Sequence, residues 1–376
     1  MKHPFTVKIL EILEKNFPTD YEQIYNNSEL LNYINFKTKS ANRGSKSRGS
    51  FGAIYSIYTL IEDYIQKGFI SKSDYLTNYS GATQTYLIKR QRELPFGAKL
   101  QNHYFQNRTN SEYKKTAPLS DFERIIIHDQ KNSRYWINES LINLKIGGKT
   151  FNIAVSVIEI LDAYIEAKKS AFDRFIETCE QLKSISGEES ETIVEFISGL
   201  LAPNVDARIF EIISFSILKF YYLDQTVFFG FELNSIEEEN LKLYKTGRTN
   251  ANDGGIDFVM KPLGRFFQVT ETTDVKKYFL DIDKLEKFPI TFVIKSDDSV
   301  ENLNAHIRQN AKIQYAVQVI VDRYMSCIEE IINIQELTKR FYEAIGQGYL
   351  NDILVEIIKQ SKVEFNYDEN EEEDID

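Results

Sequence analysis

Asp253-Gly-Gly-Ile-Asp-Phe-Val-Met-Lys-Pro-Leu-Gly-Arg-Phe-Phe-Gln-Val-Thr-Glu271 decides how this chain is read. Two apolar runs, Ile256 to Met260 and Phe266 to Val269, flank Lys-Pro-Leu-Gly-Arg. Short β-branched and aromatic runs on either side of turn residues predict a β-hairpin. Asp257 lies in the first run and Gln268 in the second, so closing the hairpin sets a carboxylate beside polar side chains. A strand carboxylate facing a polar second strand is a way to hold a divalent cation against a phosphate. An ordinary hairpin with polar edges has the same pattern.

With its surroundings, this stretch resembles the PD-(D/E)xK nuclease superfamily, most closely restriction endonucleases with a Mrr-like core. The family carries a Glu on a helix, then Gly-Gly-Ile-Asp on a strand, then an acidic residue or Gln, any residue, and Lys. Here the helix spans Asp206 to Leu223 with Phe210-Glu211, the Asp is Asp257, and the last element is Gln268-Val269-Thr270. The resemblance implies an α/β fold, a mixed sheet flanked by helices, preceded by a mostly helical DNA-recognition region. It implies catalytic roles for Asp257, Gln268, Thr270 and Glu211, with Asp257, Gln268 and Glu211 holding Mg²⁺. Thr270 replaces the family's Lys, and the missing cation points to Lys245, Lys276 or Lys295 as substitutes. Glu271 alternates to the face opposite Gln268 and Thr270 and ranks below them.

The function implied is that of a type II restriction endonuclease, hydrolysing phosphodiester bonds in double-stranded DNA at specific sites. A homodimer suits a palindromic target, and a DNA methyltransferase encoded nearby would protect the host. The alternative is a catalytically inactive DNA-binding protein on a decayed nuclease scaffold.

The formal charge of −11 conceals two opposite halves. Residues 1–150 carry 22 Lys/Arg against 14 Asp/Glu, a net of +8, which leaves 23 against 42 in the remainder, a net of −19. The expected division is a basic, mainly helical region over 1–185, a catalytic domain over 186–363 and an acidic, disordered tail over 364–376. Lys37, Lys39, Arg43, Lys46 and Arg48 form a run without an acid, read as a loop suited to phosphate contact. A second basic stretch, Lys89 to Lys115, offers Arg90, Arg92 and Arg108 to phosphates or base edges. Trp136 to Ile153 reads as two strands about Gly147-Gly148, and Ile153 to Ile185 as a helix. Val300 to Lys362 reads as mostly amphipathic helix broken at Gly346-Gln-Gly.

Other classes find little support. Cys179 and Cys327 stand far apart and the 4 histidines lack ligand spacing, which speaks against zinc. No apolar run reaches a membrane span and the N-terminus lacks a leader pattern, so a cytoplasmic protein without membrane partners is expected.

Overall fold

The computed structural model describes residues 3–39, 47–71, 78–97, 100, 103–118, 120, 122–184, 190–203, 205–247, 256–271 and 274–365. Two compact units divide at Arg174/Phe175.

The first unit begins with α1 (Pro4–Asn16), α2 (Tyr21–Asn27), α3 (Glu29–Thr38) and α4 (Ser47–Gln66). β1 (Ala82–Thr83), α5 (Gln84–Glu93) and α6 (Thr109–Thr116) follow, then β2 (Ile126–Asp129) and β3 (Arg134–Ile137). β4 (Asn143–Ile146), β5 (Lys149–Asn152) and α7 (Ala154–Lys183) come next, and the division falls inside α7. Phe51, Ile54, Tyr55 and Ile61 of α4 join Leu31 and Ile34 of α3 and Tyr113 of α6 in one buried core. The β4–β5 hairpin turns at Gly147 and Gly148, both with positive φ of +56° and +79°, backbone that a β-carbon disfavours. Trp136 belongs elsewhere: β3 pairs with β1 and β2 in a small antiparallel sheet. Two residues of the basic run expected in a loop are helical instead: Lys37 lies in the last turns of α3 and Arg48 in the first turn of α4.

The second unit contains α8 (Ser190–Gly199), α9 (Ala207–Tyr221), the hairpin β6 (Thr226–Phe229) and β7 (Glu237–Asn240), then β8 (Lys242–Lys245), β9 (Phe258–Lys261) and β10 (Arg265–Thr270). α10 (Val275–Lys284), β11 (Ile290–Ile294), α11 (Val300–Gln314), α12 (Gln318–Met325), β12 (Ile328–Ile332), α13 (Ile334–Gly346) and α14 (Leu350–Phe365) complete it. A mixed sheet runs in the order β12-β11-β10-β9-β8. β8, β9 and β10 form an antiparallel meander, and β11 and β12 continue parallel to β10. A parallel neighbour needs a crossover, and α10 provides the one from β10 to β11.

Strand alternation sorts side chains into two layers. Phe258, Met260, Phe267, Val293 and Ile332 pack with α9, α13 and α14. Ile290, Phe292, Ile294 and Ile331 pack instead with α10, α11 and α12. Asp206 and Asp274 cap α9 and α10, each accepting from a backbone N–H two residues on. Val300 to Lys362 is mostly helix, as its spacing predicts, but Ile328–Ile332 within it is a strand, paired to β11. Its Ile-Glu-Glu-Ile-Ile spacing satisfies a helical stripe, and pairing with β11 overrides that local preference.

Burial pushes the Cys179 thiol up to about 12 and also raises Cys327, as fits two buried, unbridged thiols. No helix among the described residues is long and apolar enough to cross a membrane. Residues 366–376 of the acidic tail and the break around Gly187 lie outside the described residues.

Candidate active site

The expected hairpin is present: Phe258 pairs with Phe267, and the Asp257 N–H donates to the Phe267 carbonyl at 2.9 Å. That register sets Asp257 across from Gln268. Asp257 is half-buried, and its Oδ2 accepts the Val269 N–H at 2.6 Å. The carboxylate thus takes the place of a backbone carbonyl and extends the β9–β10 ladder by a rung. Gly254 and Gly255, which precede it, lie outside the described residues.

Gln268 and Thr270 alternate with Phe267 and therefore face α10, not α9. Gln268 is only 8% exposed; its Nε2 donates to the Val269 carbonyl, while its Oε1 is buried with no hydrogen-bond partner. A buried acceptor without a donor costs free energy of about 1–3 kcal/mol, so this oxygen is poised for a cation or a donor. Thr270 is also buried, and its Oγ1 accepts from the Lys277 Nζ of α10 at 3.2 Å. Lys277 was not among the cations expected from sequence. No carboxylate pairs with it among the described residues, and its ammonium lies on the face that carries Gln268 and Thr270.

Glu211 lies on the other layer. It is buried on α9 and pairs with Lys245 of β8 at 3.0 Å. Glu271 also falls on that side, as its alternation predicts: Lys295, the residue after β11, pairs with it at 2.6 Å. The Lys295 ammonium also donates to the Val205 carbonyl and sits 5.8 Å from the Phe210 ring. The structure therefore brings Asp257, Gln268 and Thr270 together and sets Glu211 apart from Gln268 and Thr270. Lys245 and Lys295 are each committed to a carboxylate, and Lys276 is exposed on α10.

Among the described residues no group of three or more His, Cys, Asp or Glu side chains converges as a metal site. The fit to Mg²⁺ rests on a sparser set, the Asp257 carboxylate and the orphaned Gln268 Oε1. That suffices in kind, because Mg²⁺ is usually held by one or two carboxylates and completes its shell with water and substrate phosphate.

The expected DNA contacts in the first unit fare differently from one another. Lys37 is buried, ion-paired to Glu112 and 5.8 Å from the Tyr33 ring. Arg108 reaches the same carboxylate at 3.1 Å and lies over Tyr104 at 5.3 Å. Burial raises the Glu112 pKa, but Lys37 and Arg108 outweigh it and hold the carboxyl below its ordinary value. Arg90 grips Glu62 through two nitrogens, at 2.7 and 2.8 Å. Lys37 and Arg90, offered to DNA by the sequence, are thus each held in an ion pair within the first unit. Arg92 is exposed and Lys39 half-buried. Arg43 and Lys46 lie outside the described residues, as does the side chain of Arg48.

The chain matches no protein-family model, no curated protein and no solved structure.

Proposed function

We propose that the chain is a Mg²⁺-dependent endonuclease of the type II restriction kind, cutting both strands of duplex DNA. The observation that carries this is the grouping on β9 and β10: a carboxylate fixed in the ladder, a buried amide oxygen lacking a donor, and a hydroxyl that receives a lysine ammonium. Two acceptors for a cation beside an uncompensated positive charge suit a phosphodiester, which needs both. In support stands a mixed sheet flanked by helices, with the Glu211 helix α9 preceding the β9–β10 hairpin in the chain.

In the reaction, water attacks phosphorus, the new P–O bond forms as a bridging P–O ester bond breaks, and the departing oxygen takes up a proton. Asp257 and Gln268 would hold the Mg²⁺, which supplies Lewis acidity and lowers the pKa of bound water. Lys277 replaces the missing motif lysine in charge, offsetting negative charge that accumulates on the phosphoryl oxygens. Thr270 positions that ammonium by accepting its hydrogen bond. Glu211 serves β8 through Lys245. A palindromic target requires two copies, and a methyltransferase encoded nearby would spare the host's own DNA.

A second reading, a DNA-binding protein that does not cut, is favoured by the neutralisation of Glu211 and Glu271 by lysines. Incubating the purified protein with mixed plasmid and phage DNA, with and without Mg²⁺, separates the two. Discrete fragments that depend on Mg²⁺ support the nuclease, intact but retarded DNA supports the binder, and neither result leaves both readings without basis.

A further inference from the structure

We propose that the outward face of β8 and β9 is a track for the phosphodiester backbone of duplex DNA, held by Lys242 and Lys261. The inference builds on the nuclease reading by naming where its substrate lies.

Leu243 and Met260 point into the α9 layer, so Lys242, Tyr244 and Lys261 point to the other side. Helices α10, α11 and α12 cover that side over β11 and β12, but Lys242 and Lys261 are exposed and Tyr244 is 44% exposed.

Lys242 and Lys261 are direct cross-strand partners. Directly opposed side chains sit with β-carbons about 5 Å apart, and like charges so placed destabilise a sheet. No carboxylate pairs with either lysine among the described residues; Lys261 rests instead on the Tyr244 ring, 5.2 Å from its centroid. The same strand treats its inward cation differently, since Lys245 is neutralised by Glu211. A repulsive pair retained on the open face, within a half of the chain that is strongly acidic, calls for a polyanion across it. An acidic protein surface would meet the charge requirement, but the position favours DNA. From Asp257, the residue before β9, to Lys261, its last, is roughly 13 Å at 3.3 Å per residue. That length corresponds to about four base steps of duplex rise, so a strand resting on the lysine pair passes Asp257 within the same half-turn.

The test is a salt titration of affinity for a fluorescent random-sequence duplex, in Ca²⁺ to prevent cutting. It compares wild type with Lys242→Gln/Lys261→Gln and with Lys339→Gln/Lys359→Gln, a control that removes equal charge from α13 and α14. The slope of log affinity against log salt should fall by about 1.8 in the first variant, 0.9 for each lysine, and by less in the control. An unchanged slope, an equal fall in the control, or no duplex binding by wild type overturns the proposal. Parallel digests in Mg²⁺ keep the two readings distinct. A reduced slope in a protein that never cuts sustains the track and removes the nuclease, and cutting with an unchanged slope does the reverse.

Discussion

Three cations of the first unit that the sequence offered to DNA are held by carboxylates, whereas three lysines on one side of the second unit's sheet are not. Lys37, Arg90 and Arg108 are each paired with a carboxylate. Lys242, Lys261 and Lys277 have no such partner among the described residues. The excess of positive charge over residues 1–150 therefore does not by itself say which cations are open to a phosphate. Net charge sets the far field; whether a given cation can meet a phosphate depends on what already holds it.

The largest expected effect lies at the ladder carboxylate. Asp257→Ala should abolish cleavage while duplex affinity in Ca²⁺ stays within a few-fold of wild type. Asp257→Asn sharpens the test, since its amide oxygen can still accept the Val269 N–H but lacks the charge. Loss of cutting in both variants assigns the role to charge; full cutting by the Asn variant would reduce Asp257 to a structural rung.

Lys277 comes next. Lys277→Gln should slow single-turnover cleavage about 10²-fold, the scale of one transition-state contact, with affinity nearly unchanged. Lys277→Arg should restore part of the rate. If Lys277→Gln is harmless while Lys245→Gln or Lys295→Gln is inactive yet folded, the cation comes from the α9 side.

Within the first unit the expected losses are of stability. Glu112→Gln removes a carboxylate shared by Lys37 and Arg108 and should cost about 2 kcal/mol, since Lys37 is left buried without its counter-charge. Glu112 has a folded pKa below its unfolded value, so its stabilisation is complete above the ordinary Glu value of 4.5 and lost as pH falls through the lower folded value. Denaturant midpoints of wild type and variant should therefore converge as acid is added. A constant gap across that range would show that packing, not charge, holds α3 to α6.

The smallest effect separates two neighbouring arginines. Arg92→Gln, on an exposed side chain, should leave stability unchanged and reduce the salt slope by about 0.9 if it touches a phosphate. Arg90→Gln should lower stability and leave the slope alone, because Glu62 already occupies its guanidinium. Reversal of this pattern would return the first unit to a direct role in gripping DNA.

Local chemistry was legible in the sequence wherever neighbours in the chain are also neighbours in space. The hairpin around Lys261-Pro-Leu-Gly-Arg and the Gly147-Gly148 turn both follow from residues within a few positions of one another. What escaped depends on distant partners. Glu112, which pairs with Lys37, lies 75 residues away, so that ion pair is invisible until the chain folds. Ile328–Ile332 is a strand because β11 lies beside it, not because its spacing forbids a helix. Lys277 gains meaning only once the crossover carries α10 across Thr270. Alternation along β10 did correctly separate Glu271 from Gln268 and Thr270, because the period of a strand needs no long-range information.

The Val269 N–H that holds the Asp257 carboxylate has a consequence for how that side chain meets a ligand. Its two torsions are narrowed before anything binds, so the entropy lost on capture is smaller than for a freely rotating aspartate. The same anchorage makes the site intolerant of length. A glutamate carries one more methylene, and a carboxylate kept on the Val269 N–H would need a buckled stem, while an extended one would overshoot the end of β9. Charge would be conserved and reach would not, so Asp257→Glu should behave more like the alanine variant than like a conservative exchange.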